Sequence, residues 1–142
     1  PRVNDVTIPD MQEKFNLSIQ IRDEVSKANE AVIKIRAIKE KINEEAKAKN
    51  TTVSKANQAL MMELSSIEEN LYQVRNQSSQ DPLNFPIKLN NKLASLMRVV
   101  ESGDYKPTAG SYKVFEELKA ELALEINHLD KVLSQKTIKK YL

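Results

Sequence analysis

Cysteine and tryptophan are absent from this 142-residue chain, and glycine occurs only twice, at Gly103 and Gly110. Without cysteine there is no thiol nucleophile, no disulfide and no Cys-ligated zinc. The redox compartment stays open, since reducing and oxidising locations both accept a Cys-free helical protein. Two glycines cannot build a glycine-rich phosphate loop or a dinucleotide fingerprint. Aromatic residues make up 5% of the chain, too few to alternate with basic residues in a single-strand-binding surface. Neither sign of charge dominates: 22 Lys+Arg against 20 Asp+Glu gives +2, with no general pull toward nucleic acid or acidic lipid. No apolar run approaches the ~20 residues of a membrane-spanning helix.

What remains is a chain 40% apolar and 30% charged, of a length that suits one domain. Its first residue is Pro, so the sequence reads as a piece of a longer or processed protein. No signal sequence opens it, and Pro1–Pro9 reads as a linker entering a helix.

Periodicity predicts four helices, over about 10–49, 53–75, 87–102 and 108–135. The first starts near Pro9 and Asp10, a proline and an acidic residue that suit a first turn. Its core stripe is Ile21, Val25, Ala28, Val32, Ile35, Ile42 and Ala46, with steps that keep one face. Asn50, Thr51 and Thr52 end it and cap the next. Helix 2 carries a heptad of Val53, Leu60, Ile67 and Val74 with Leu64 and Leu71. Asn57 takes one apolar slot of that heptad, either to fix register or because it lies in a frayed first turn. A loop, Asn76–Pro86, follows.

Helix 3 turns Leu89, Leu93, Leu96, Met97 and Val100 inward and stops at Gly103, expected in the left-handed conformation. Thr108 or Ser111 caps helix 4, whose stripe is Phe115, Leu118, Leu122, Ile126, Leu129 and Leu133. The expected fold is all-α, an antiparallel up-down-up-down four-helix bundle with a long first helix. Part of that helix must project, curve around its neighbours or rest on something else. Residues 137–142 break the helical pattern.

The segment Phe15–Ile21 alternates with period two but runs into an unbroken helical pattern, so it reads as helix. Leu17 and Ile21 then extend the core stripe, while Met11, Phe15 and Ile19 fall on a nearly opposite face. A helix apolar on two faces is buried twice or carries a contact surface. Either Leu83 and Phe85 of the loop cover Phe15 and Ile19, or Met11, Phe15 and Ile19 form an interaction surface for another domain or subunit.

Other candidate sites are weak. Glu125 and His128 have the E-x-x-H spacing of di-iron bundles, which need a second such motif and two more carboxylates. His128 also lacks a nucleophile–acid constellation. Glu44–Glu45, Glu68–Glu69 and Glu116–Glu117 diverge on a helix and read as solvated faces. Lys131, Lys136, Lys139 and Lys140 are a basic cluster without interleaved aromatics. Asn16, Asn50 and Asn76 begin N-x-[ST] triplets, which matter only in a glycosylating pathway. No catalytic residue, cofactor, metal, nucleic acid or membrane insertion is expected.

Three stretches carry a resemblance. They are Asp81–Leu93, with its "PIKLNNKL", Gly103–Thr108, a "GDxxPT", and Val114–Leu118. Phe15, Ile21-Arg22-Asp23 and Ile33–Arg36 add to them. Together they resemble the C-terminal helical region of bacterial sortilin-like, BNR-repeat β-propeller proteins, a glycosyl hydrolase-like group. The resemblance extends to about Ser134. It implies an exported or envelope parent with a propeller upstream, to which any hydrolytic chemistry would belong. This chain would be a non-catalytic accessory or interaction domain, and its partner that propeller. The alternative is a self-assembly module whose partner is a second copy. Asn90 and Asn91 would open helix 3 and bond the loop backbone, and Asp104 would form a side-chain turn.

Overall fold

The computed structural model describes residues 7–72, 88–103 and 106–142. It is an all-α bundle with a long first helix. Four α-helices, α1 (Ile8–Ala48), α2 (Lys55–Leu71), α3 (Leu89–Ser102) and α4 (Ala109–Leu133), are followed by a 3-10 helix over Lys136–Tyr141. The expected loop with Leu83 and Phe85, together with Val74, Asn76 and Asp104, lies outside the described residues.

Three of the four α-helix starts follow from side-chain capping, while α3, entered through Lys88, has no side-chain cap. Thr7 caps α1 in a reciprocal box, its hydroxyl accepting from the Asp10 N–H at 3.1 Å while the Asp10 carboxylate accepts from the Thr7 N–H. Ser54 caps α2, so this helix begins at Lys55 and Val53 sits just outside it, packed against the core. Thr108 caps α4, accepting from the Ser111 N–H at 3.0 Å.

Helix ends differ from expectation at two places. α2 stops at Leu71 instead of running to about 75, its cap Tyr72 being extended at φ −140° and ψ 137°. Gly103 has φ −75° and ψ 145°, extended rather than left-handed, so α3 simply straightens into the next segment. The left-handed residue is Asn50, at φ 52°. There the Thr51 N–H reaches back to Ala46 O at 2.9 Å and the Asn50 N–H to Lys47 O at 3.0 Å. This double closure satisfies the last carbonyls of α1 and reverses the chain into α2.

The four helices run up, down, down, up instead of alternating throughout. α2 returns along the second half of α1: Glu68 meets Arg36 and Lys39, and Ser65 meets Lys39. α3 runs in the same sense along the first half, its final carbonyl at Gly103 accepting from Lys14 Nζ. α4 then runs parallel to α1, with Tyr112 beside Glu13 at its start and Leu129 and Leu133 beside Lys27–Lys34 further on. The reason is length. At 41 residues α1 is about 60 Å long, whereas α2 and α3, at 17 and 14 residues, are about 25 and 21 Å. Two helices in tandem therefore cover one side of the first, which accounts for its surplus length.

The core follows the predicted stripes. Ile21, Ala28, Val32, Ile35 and Ile42 are buried, with Leu60, Leu64, Ile67 and Leu71 from α2 and Leu89, Leu93, Leu96 and Val100 from α3. Phe115, Leu118, Leu122 and Leu129 complete it from α4. Val25, Met97, Ile126 and Leu133 pack at its edge. The segment that breaks the pattern after α4 is also core: Ile138 and Tyr141 are 0% and 4% exposed.

Candidate functional site

The two-faced start of α1 is helical, as its continuation predicts, and its second face is open among the described residues. Met11 is 53% and Phe15 60% exposed, while Ile19 is only half-buried. Ile8, at 78%, joins them one turn earlier, and Ile33, at 66%, lies on the same side of the helix further along. Leu17 and Ile21, 1% and 0% exposed, point the other way into the core. Steps of three and four from Ile8 through Met11 and Phe15 to Ile19 make one row, which continues through Arg22, Ser26 and Asn29 to Ile33. Ile8 and Ile33 escape a reading that starts from Phe15–Ile21, because one precedes the regular pattern and the other lies beyond two polar turns. The available signal is the step from Phe15 back to Ile8, one heptad.

Charge is organised on the opposite, inner side. Glu68 is 5% exposed, yet it accepts from Arg36 Nε at 2.6 Å and from Lys39 Nζ at 2.8 Å. Burial pushes its carboxyl up, but the hydrogen bonds and positive charge of Lys39 and Arg36 outweigh this and hold it below the usual carboxylate range. The Arg36 guanidinium also lies over the Tyr72 ring, 5.4 Å from its centroid. Glu68 is thus a buried structural ion pair between α1 and α2. The sequence suggests a solvated face for the Glu68–Glu69 pair, which holds for Glu69 alone.

A second polar knot fastens the chain end. Glu45 accepts from Lys49 at 2.7 Å and Lys140 at 2.9 Å. Hydrogen bonding to Lys49, then to Tyr141 and Lys140, pulls its carboxyl down to about 2. Asn57 lies in the first turn of α2 and donates from Nδ2 to the Tyr141 hydroxyl at 3.1 Å. The first turn is not frayed, since the Ser54 hydroxyl accepts from the Asn57 N–H at 3.2 Å, and the Asn57 side chain ties α2 to the last segment.

Several clefts indent the surface of the described residues away from the Phe15 row, three of them larger than the one beside Tyr141. One of about 440 Å³ lies where α2 ends and α3 begins, lined by Asn70, Lys88, Lys92, Glu121 and Glu125. Asn70 Nδ2 donates to Glu125 Oε1 at 3.0 Å, while Glu125 Oε2 and Asn90 Oδ1 are buried without a partner. Asn90 therefore opens α3 with no partner for its amide oxygen among the described residues. His128 is exposed on α4, and among the described residues no three His, Asp or Glu side chains gather as a metal site. A second cleft, of about 750 Å³, lies beside the α1–α2 turn with Val53, Met61 and Met62 in its wall. A third, between α1 and α4, is smaller, with Lys34 and Asp130 at its rim. None of these three brings together a nucleophile, a base and an orienting group. No helix of the described residues is long and apolar enough to cross a membrane.

No protein-family model matches this chain, and no curated protein or solved structure matches it.

Proposed function

We propose that this bundle is a non-catalytic interaction domain whose contact surface is the outer row of α1, with Met11 and Phe15 at its centre and Ile8 and Ile19 at its ends. The supporting observation is the exposure of Phe15, 60%, on a helix whose other face is fully packed. A phenylalanine left in water forfeits roughly 2–3 kcal/mol of burial, so a contiguous apolar row marks a contact surface better than single exposed residues do. The resemblance supplies the partner: the upstream β-propeller of an exported parent, with the bundle as its C-terminal accessory. Self-association is the second reading. It is favoured by Ile33, exposed on the same side of the helix about 38 Å from Ile8.

Phe15→Glu tests the surface. Its unfolding free energy should stay within about 0.5 kcal/mol of the unsubstituted chain, whereas Ile21→Ala should cost about 3 kcal/mol. A loss of several kcal/mol for Phe15→Glu would show that the row is covered within the fold and end this reading. Sedimentation over a wide concentration range separates the partners. A monomer throughout leaves the propeller. A dimer dissolved by Phe15→Glu makes the bundle an assembly module.

A further inference from the structure

The six residues of the 3-10 helix do what a fifth element should do, yet they are built unlike the other four. α4 is 25 residues long and ends at Leu133, well short of the level where α1 finishes. Lys136–Tyr141 extends that column, placing Ile138 and Tyr141 against the α1–α2 hairpin. Backbone continuity with α4 is broken at Ser134, φ −79° and ψ −10°, and Gln135, φ −67° and ψ 140°. No side chain caps the 3-10 helix. The bonds at its two ends are long, 3.3 Å from Ile138 N to Gln135 O and 3.3 Å from Leu142 N to Lys139 O. Short 3-10 segments have poor hydrogen-bond geometry and little intrinsic stability.

What holds the segment is therefore its seat. Two side chains enter the core, and three fastenings surround them. Lys41 Nζ donates to Tyr141 O at 3.2 Å, Asn57 Nδ2 to the Tyr141 hydroxyl at 3.1 Å, and Lys140 Nζ to Glu45 Oε1 at 2.9 Å. Each fastening is to α1 or α2, elements remote in sequence, and none is to α4. The hairpin does not need the segment for its own closure, which the left-handed Asn50 and the Ser54 cap already provide. A space of about 220 Å³ lies beside the contact, walled by Ile42, Ala46, Val53 and Tyr141 and by polar residues that include Glu45 and Asn57.

We propose that the C-terminal 3-10 helix is a detachable clasp: it leaves its seat on the α1–α2 hairpin while α1–α4 stay folded. The vacated seat is a groove of mixed character, in which Ile42, Ala46 and Val53 lie among the polar Asn57, Lys41 and Glu45. It takes a short segment presenting an isoleucine and a tyrosine three residues apart, with a basic residue before the tyrosine. Two apolar side chains and three polar contacts, one of them exposed, hold the segment, and local opening is expected where so few contacts hold an element.

Native-state hydrogen exchange on the full chain tests the clasp. The amides of Tyr141 and Leu142 should exchange at least 100-fold faster than those of Leu64 and Leu122, with little dependence on sub-denaturing urea. Protection equal to that of Leu122, with the same urea dependence, would show the segment to be part of the global unit and overturn the proposal. Ile138→Asp gives an independent check. It should release the segment, seen as loss of Tyr141 ring shifts, with helical circular dichroism and cooperative unfolding retained. A variant that loses its helices overturns the clasp. A peptide of residues 134–142 added to Ile138→Asp should restore the hairpin's Val53 and Ile42 methyl shifts. Failure to bind would remove the groove's selectivity and with it the second half of the proposal.

Discussion

Single residues decide more here through polar contacts than their positions suggest. Glu68 reads as one of a solvated pair, and only the antiparallel register of α2 on α1 reveals that Arg36 and Lys39 meet it. Lys39→Met leaves that carboxylate buried with one partner and should cost about 2 kcal/mol, measurable by urea unfolding at neutral pH. The Glu45 knot sets a pH dependence. Its folded pKa is lowered to about 2, so its contribution is present above its unfolded value of 4.5 and is lost as pH falls from 4.5 toward 2. The Ile138 methyl resonances should shift through that window, and Glu45→Gln should abolish the shift. Backbone conformation provides a paired test. Asn50→Ala places an alanine at φ 52° and should lower stability by about 1 kcal/mol. Gly103→Ala meets only ordinary contacts, 3.7 Å to Val99 O and 3.8 Å to Val100 O, in an extended conformation. It should raise stability by about 0.5 kcal/mol. Sequence alone points to the glycine as the left-handed residue, because glycine needs no special reason to be there. Asparagine is the next best occupant, and at residue 50 it is the one the turn uses.

At the scale of elements, the four α-helices are legible because their apolar steps are regular and three of them begin at conventional caps. Thr108, Pro9 and the leucines of α2 fall where periodicity puts them. The 3-10 helix is not legible. Ile138 and Tyr141 are three residues apart, but without a flanking pattern that spacing resembles a frayed end. Their burial depends on α4 being too short for α1, a fact about relative lengths and not about the segment's own residues. The two kinds of element should respond differently to the same damage. Leu64 and Ile138 are both 0% exposed. Leu64→Ala should cost about 3 kcal/mol of global stability. Ile138→Ala should cost clearly less, because the loss cannot exceed what the clasp itself contributes. Parallel thermal denaturation of the two variants gives the comparison directly. The outer row of α1 is half legible: Met11 and Phe15 are exposed as one alternative requires, while Ile19 is half-buried.

The whole molecule is organised by α1 as a spine. The bundle class follows from four amphipathic stretches, but the order in which they pack does not. Short connections argue for alternation, and nothing in the apolar pattern says that α3 continues the direction of α2. Only the arithmetic of lengths, with one helix far longer than the third, hints that two helices share one side. A shared spine predicts cooperativity between halves. Leu93→Ala, in the half covered by α3, should lower the melting midpoint of methyl resonances in the α2 half by the same amount as in its own. The order up, down, down, up has a further result. Thr7 lies near the Glu13–Tyr112 contact, and Tyr141 lies near Glu45, about 50 Å away along α1. Strict alternation would have brought both ends of the bundle's chain to one side. Here, tension applied through residues 7 and 142 runs along the axis and slides parallel α1 and α4 past each other. The packed rows must then shear together instead of peeling apart one at a time. Stretching the bundle through residues 7 and 142 should therefore meet more resistance than opening a hairpin from one end.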